Sequence, residues 1–147
     1  RSSAFLAGYL NFYFHLIFKN VTLVQSAAGE IFDQMLRIGP GDVLVGISFP
    51  RYSQIAVNAV RFARDRGADV IAVTDSKMSP IYKMASASLL VSSDMISFVD
   101  SMAAPVSLLN ALIMAVGQQK SEETAESFSE LERVWSQYGV FGDAEDE

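Results

Sequence analysis

Cysteine is absent from the 147 residues, and histidine and tryptophan occur once each. Without cysteine there is no disulfide framework, no thiol nucleophile and no thiolate ligand, a composition that suits a cytoplasmic protein. The single imidazole, His15, sits in an apolar stretch, where a lone histidine is more often a buried or interface residue than a catalyst. No Cys–His pattern or carboxylate cluster has metal-site spacing, so neither metal nor cofactor is expected. A signal peptide, an internal repeat and a low-complexity segment are all missing. No apolar run reaches the roughly 20 residues of a membrane span. The longest, Ala4 to Phe18, is broken by Asn11 and His15, so no membrane partner is expected.

What is present points to one compact domain. Half of the residues are hydrophobic, which excludes a disordered chain, and the length is ample for a real core. The net charge of −6 is unevenly placed: nine of the 17 acids, but only one of the 11 bases, lie after Lys120. The preceding residues are near neutral. No basic stripe of the kind that grips a phosphate backbone occurs, so this chain is not expected to bind DNA by itself.

Residues 42 to 76 carry the strongest pattern. Val43 to Ile47 is a short β-branched apolar run, as in a strand covered on both faces. Gln54 to Arg66 has helical periodicity, with Ala56, Ala59, Val60 and Ala63 on one face. Gly67 stands where a helix end favours a left-handed residue, and Val70 to Val73 is a second buried strand. This is a β-α-β unit. Its Ser48–Ser53 loop follows a strand, where open α/β sheets bind ligands. The loop offers the hydroxyls of Ser48 and Ser53, the Arg51 guanidinium and the amides opening the next helix, a combination suited to an anion. The same residues also have a purely structural reading, with Ser53 as a helix cap and Arg51 as a solvated loop charge.

Elsewhere the sequence predicts a strand at Thr22 to Val24, a helix at Glu30 to Arg37 and a turn at Gly39-Pro40-Gly41. It then predicts a short helix from Ser79-Pro80, a strand at Leu89 to Val91 and a long apolar helix from Phe98 to Val116. Ser121 can cap a last helix with Glu122 and Glu123 in its first turn, and Phe128, Leu131, Trp135 and Tyr138 form its apolar stripe. Ala4 to Phe18 is apolar almost all round, with Phe5, Tyr9, Phe12, Tyr13, Phe14 and Phe18. Such a helix is covered on several sides, one by the sheet and another by a second subunit.

The run Ile47-Ser48-Phe49-Pro50-Arg51-Tyr52-Ser53, with Gly67-Ala68-Asp69-Val70-Ile71-Ala72-Val73-Thr74-Asp75-Ser76 and Ser79-Pro80 beyond the helix, resembles the sugar isomerase (SIS) domain. It is most similar to the version found in RpiR/MurR-type bacterial transcription regulators, and the resemblance extends to about Gln118. The family loop usually reads Ser-x-Ser-Gly-x-Thr-x-Glu. Ser48 matches its first Ser and Ser53 conservatively replaces its Thr. Pro50, Arg51 and Ile55 stand at the second Ser, the Gly and the Glu. A second family element, Gly-x-Gly-x-Ser-x-x-x-Ala, would place Arg1 at the second Gly, Ser3 at the Ser and Ala7 at the Ala.

The resemblance implies a three-layer αβα sandwich with a parallel, flavodoxin-type sheet whose first strand would precede Arg1. Residues 1–120 would form the phosphosugar-binding domain. Residues 121–138 would pack as an amphipathic helix on the domain or a partner subunit, and 139–147 would be an acidic, mobile tail. The implied phosphate contacts are Ser3, Ser48, Arg51 and Ser53, with Ser2 and Thr74 as weaker candidates. The implied partners are a sugar phosphate or amino-sugar phosphate, a second copy in a homodimer or tetramer, and DNA only through a helix-turn-helix domain outside this chain. The competing classes are an aldose–ketose phosphosugar isomerase and a scaffold that only dimerises. Isomerisation needs a positioned base, and the candidates are few: Ile55 occupies the glutamate position, leaving His15 and Glu30. No catalytic residue is assigned.

Overall fold

The computed structural model describes residues 2–25, 30–93, 95–96 and 99–141. In chain order these form α1 (Ser2–Ile17), α2 (Glu30–Gln34), β1 (Val43–Ile47), α3 (Gln54–Asp65) and β2 (Asp69–Thr74). A single 3-10 turn (Tyr82–Met84), β3 (Ala87–Leu90), β4 (Met95–Ile96), β5 (Val99–Asp100), α4 (Ala103–Gln119) and α5 (Ser121–Tyr138) follow. Strands β1, β2 and β3 make a parallel sheet in that order, with Ile47 paired to Val73 and Thr74 to Leu90. β4 and β5 pair separately as an antiparallel ribbon.

The period-2 alternation of the strands divides the core into two layers. Leu44, Val70 and Ala72 pack with Val57, Val60 and Ala63 of α3 and with Met35. Val45, Ile47, Val73 and Leu89 pack instead with Leu6 and Leu10 of α1 and Leu109 and Ile113 of α4. The result is the expected αβα sandwich, with α5 lying against α1 and α4.

The β1–α3–β2 unit has the tightest local packing. A side chain at Gly46 would put its Cβ 2.7 Å from Val60 Cγ2, and Val60 is itself fully buried. Glycine therefore sets how closely α3 approaches the sheet. At the other end of α3, Gly67 has φ +84°. Its N–H donates to the Arg64 carbonyl (2.9 Å) and that of Ala68 to the Ala63 carbonyl (3.1 Å). This Schellman arrangement satisfies the last helical carbonyls and turns the chain into β2.

Several elements differ from the sequence expectations. Residues 21–25 form no strand. In the flavodoxin-type order 2-1-3-4-5 the second strand pairs only with the first, and no described residue supplies that partner. The Gln34 carboxamide substitutes for it, accepting from Gln25 N–H (3.2 Å) and donating to Gln25 C=O (2.8 Å). α2 closes at Gln34, followed by a turn, rather than running to Arg37. The helix expected from Phe98, a residue outside those described, begins at Ala103, and Val99 and Asp100 pair instead with Ile96 and Met95. Ser79-Pro80 lies in a turn before the 3-10 segment. Ser121 is the first residue of α5 and not its cap. Gly139 (φ +59°) closes α5, and Phe141 stacks edge-on against Trp135 at 5.1 Å. Arg1 and the acids of residues 143–147 lie outside the described residues.

Gly46→Ala is expected to destabilise the fold by about 1–3 kcal/mol, the usual cost of overpacking a filled core. Chemical denaturation checks this: the midpoint should fall with the slope unchanged.

Candidate functional site

The carboxyl ends of β1 and β2 are tied together before the loops diverge. Ser48 N–H donates to the Val73 carbonyl at 3.0 Å, extending the ladder one residue past Ile47. Thr74 is fully buried, and its hydroxyl lies 2.7 Å from the Ser48 carbonyl and 3.2 Å from Asp75 Oδ1. Thr74 therefore anchors the loop rather than facing solvent. Ser48, 4% exposed, has both backbone groups engaged at the floor of the loop.

From this floor the chain rises through Phe49, which is buried with Ile47, Leu6 and Leu10. Arg51 then adopts φ +68°, the left-handed region that a non-glycine residue enters at a cost of roughly 1–3 kcal/mol. Its side chain is 73% exposed, and its Nη2 lies 3.7 Å from Asp100 Oδ1 on β5. A pair so open to water contributes at most about 1 kcal/mol, so a doubly charged anion can compete for the guanidinium.

Ser53 is the residue before α3, in extended geometry (φ −65°, ψ 122°), and its side chain makes no capping bond. The first intrahelical bond is Val57 N–H to the Ser53 carbonyl at 3.0 Å. The amides of the first turn are thus without intrahelical acceptors, and the positive end of the helix dipole is uncapped. The capping alternative for Ser53 is not realised. The uncapped amides, the Ser53 hydroxyl and the Arg51 guanidinium thus belong to one loop.

Tyr52 joins the loop to the next strand end. Its hydroxyl donates to Asp75 Oδ1 at 2.8 Å. Burial, and then the neighbouring Asp75 carboxylate, push the phenol above its ordinary range, while the Ser76 and Ser79 hydroxyls act the other way. Tyr52 therefore stays a protonated donor at neutral pH. The stabilisation from this bond is present below the phenol's unperturbed pKa and is lost only as the pH rises through the raised one. Ser79 is fully buried beside this pair, with its hydroxyl towards the Tyr52 phenol. The pairing of Tyr52 with Asp75 was not drawn from the sequence. Its signal was a loop tyrosine and a carboxylate just past the ends of adjacent parallel strands.

The remaining sequence candidates are placed as follows. Ser3 is half-buried in the first turn of α1, three residues before Leu6, whose packing on Ile47 and Phe49 sets α1 beside the end of β1. Ser2 opens α1; its side chain lies outside what is described. Ile55, at the family's glutamate position, is 38% exposed in the first turn of α3. His15 is exposed and not buried, with Nδ1 3.1 Å from the Asn11 carbonyl. Glu30 opens α2. Among the described residues no group of three or more His, Asp or Glu gathers as a metal site, and no helix is long and apolar enough to cross a membrane. A separate groove of about 420 Å³ is lined by Met114, Gly117, Thr124, Ala125 and Phe128 with two polar neighbours. None of the loop residues lines it, and its walls suit an apolar group better than a phosphate.

The SIS domain model matches residues 1–115. No curated protein matches the chain significantly. Among solved structures, the sugar isomerase domain of an RpiR transcription factor from Sphaerobacter thermophilus superposes with a TM-score of 0.83 at 22% identity, over 88% of this chain and 73% of that one. Vibrio vulnificus NanR, solved in complex with ManNAc-6P, gives 0.74 at 15% identity, over 97% of this chain and 54% of NanR. A candidate phosphosugar isomerase from Bacillus subtilis gives 0.57 at 21% identity, over 77% of this chain and 34% of that one. At such identities the likeness is one of fold.

Proposed function

The chain belongs to the SIS domain family, and we propose that it is the phosphosugar-sensing effector domain of a bacterial RpiR/MurR-type transcription regulator. In this reading a sugar phosphate or amino-sugar phosphate binds at the strand ends, and the event is passed to a helix-turn-helix domain outside this chain, in the cytoplasm. The observation that carries the reading is the uncapped start of α3. Its free first-turn amides, the uncommitted side chain of Ser53 and the exposed Arg51 converge on one loop. In this reading Ser48 forms the floor, and Ser3 and Ser2 contribute from the start of α1. NanR, a fold neighbour, holds a phosphorylated amino sugar, which supports the choice of ligand class.

The isomerase alternative finds no base at the family's glutamate position, which Ile55 occupies in the first turn of α3. Binding phosphate needs donors and positive potential, whereas proton transfer between two carbons needs a positioned base worth typically 10²–10⁴-fold. Ile55 cannot accept a proton. His15 is exposed on α1, away from the carboxyl-end loops, with its Nδ1 at the Asn11 carbonyl. A second copy brings only the same residue types.

The proposal includes self-association. Phe5 is 82% and Phe12 61% exposed on α1, and Met114 is 61% exposed on α4. A monomer showing that much apolar surface is prone to aggregation, and a second copy covers it with the same chemistry. Light scattering at micromolar concentration should give the mass of a dimer or tetramer; a clean monomer would remove this part of the proposal.

Calorimetry against glucose 6-phosphate, N-acetylmannosamine 6-phosphate and their unphosphorylated sugars tests the ligand class. At least one phosphorylated form should bind at least about tenfold more tightly than its parent sugar, as expected from losing charge-assisted bonds of about 1.5–3 kcal/mol. No aldose phosphate should be turned over. Equal affinity for sugar and phosphosugar would refute the sensor reading, and turnover abolished by Glu30→Gln or His15→Ala would move the chain to the enzymes.

A further inference from the structure

The phosphate loop accounts for one end of a ligand and leaves its hydroxyl-bearing end without a partner. The loop after β2 lies beside it. Ile47 pairs with Val73, and neighbouring strands are about 4.8 Å apart, so residues 75–79 sit close beside residues 48–53. Asp75 is half-buried there. The Tyr52 hydroxyl donates to its Oδ1 at 2.8 Å, and the Thr74 hydroxyl oxygen lies 3.2 Å from the same Oδ1. Among the described residues Oδ2 has no hydrogen-bond partner.

We infer that Asp75 is the sugar-reading group of this site, its Oδ2 accepting hydrogen bonds from hydroxyls of the phosphorylated ligand while Tyr52 holds the carboxylate in place. This rests on the phosphosugar reading of the Ser48–Ser53 loop. Three features support it. A carboxylate is acceptor-only and suits hydroxyl donors. Its charge repels phosphate, which gives the site a polarity: phosphate towards Arg51 and the start of α3, hydroxyls towards Asp75. Its rotamer is held by the Tyr52 hydroxyl from the neighbouring loop, so little ordering remains to be done on binding. Tyr52 is a positioning residue, because it acts through Asp75.

Titration calorimetry of wild type, Asp75→Asn and Tyr52→Phe with inorganic phosphate and with the two hexose 6-phosphates named above tests the inference. Wild type should bind at least one hexose 6-phosphate more tightly than inorganic phosphate. Asp75→Asn should weaken that phosphosugar roughly ten- to hundredfold, the range of a charge-assisted bond, while inorganic phosphate binds as tightly as before or more tightly, because a repelling charge is gone. Tyr52→Phe should shift the same ratio in the same direction by less. Parallel loss of both ligands would mean that Asp75 only braces the loop, and an unchanged ratio would mean that it has no part in binding; either overturns the inference and leaves the phosphate loop standing. Wild type binding neither ligand would overturn the loop reading and this inference together. Melting curves show that each variant is folded, and if Asp75→Asn does not fold, the Tyr52→Phe ratio decides alone: unchanged, it overturns the inference.

Discussion

The buried hydrogen bond from the Thr74 hydroxyl to the Ser48 carbonyl, at 2.7 Å, is the constraint on which the rest of the site depends. β1 ends at Ile47, and a loop leaving a strand is ordinarily free to move. Here Ser48 is held twice, by its N–H on Val73 and by its carbonyl on Thr74. With Thr74 fully buried, neither bond competes with water. The chain beyond Ser48 therefore starts from a fixed point and direction. It reaches the start of α3 in five residues, through the left-handed turn at Arg51.

The same tie links packing to chemistry. Gly46 lets α3 approach β1 closely enough for Val60 to pack over it, and this places the positive end of the helix beside Ser48. Arg51 is then the exposed cation of the loop and Asp75 its half-buried anion, one past each strand end. A ligand with a phosphate at one end and hydroxyls at the other matches that ordering of charge. The Arg51–Asp100 contact adds a link between the loop and the β4–β5 ribbon.

Much of the fold was legible because local signals agreed with one another. The period-2 strands, the period-3.6 helix and Gly67 at the turn all pointed to β-α-β between residues 42 and 76. Ser48 and Ser53 stand out in the sequence as hydroxyls in a loop at the carboxyl end of a buried strand, where open α/β sheets bind ligands. Failures came where a signal needs a partner to be decided. Thr22 to Val24 has strand composition, but strands form by pairing, and these residues pair with no strand; the adjacent Gln25 gives its backbone N–H and C=O to the Gln34 side chain. The apolar residues before Ala103 fit helix and strand equally by periodicity, and pairing made them a ribbon. His15 is expected to be buried or at an interface because its sequence neighbours are apolar; within one chain it is exposed, which removes the first alternative. Tyr52 and Asp75 are 23 residues apart, and only the register of β1 on β2 brings them together.

The central claim is that the loop from Ser48 into the first turn of α3 receives the phosphate of a sugar phosphate. Amide chemical-shift mapping by ¹⁵N–¹H NMR, during titration with a hexose 6-phosphate that binds, tests it most directly. The account predicts saturable shifts largest at residues 48–56, with Asp75 and Ser76 following and the groove between α4 and α5 unmoved. Saturable binding that shifts Met114, Gly117 and Phe128 while leaving residues 48–56 in place would contradict it.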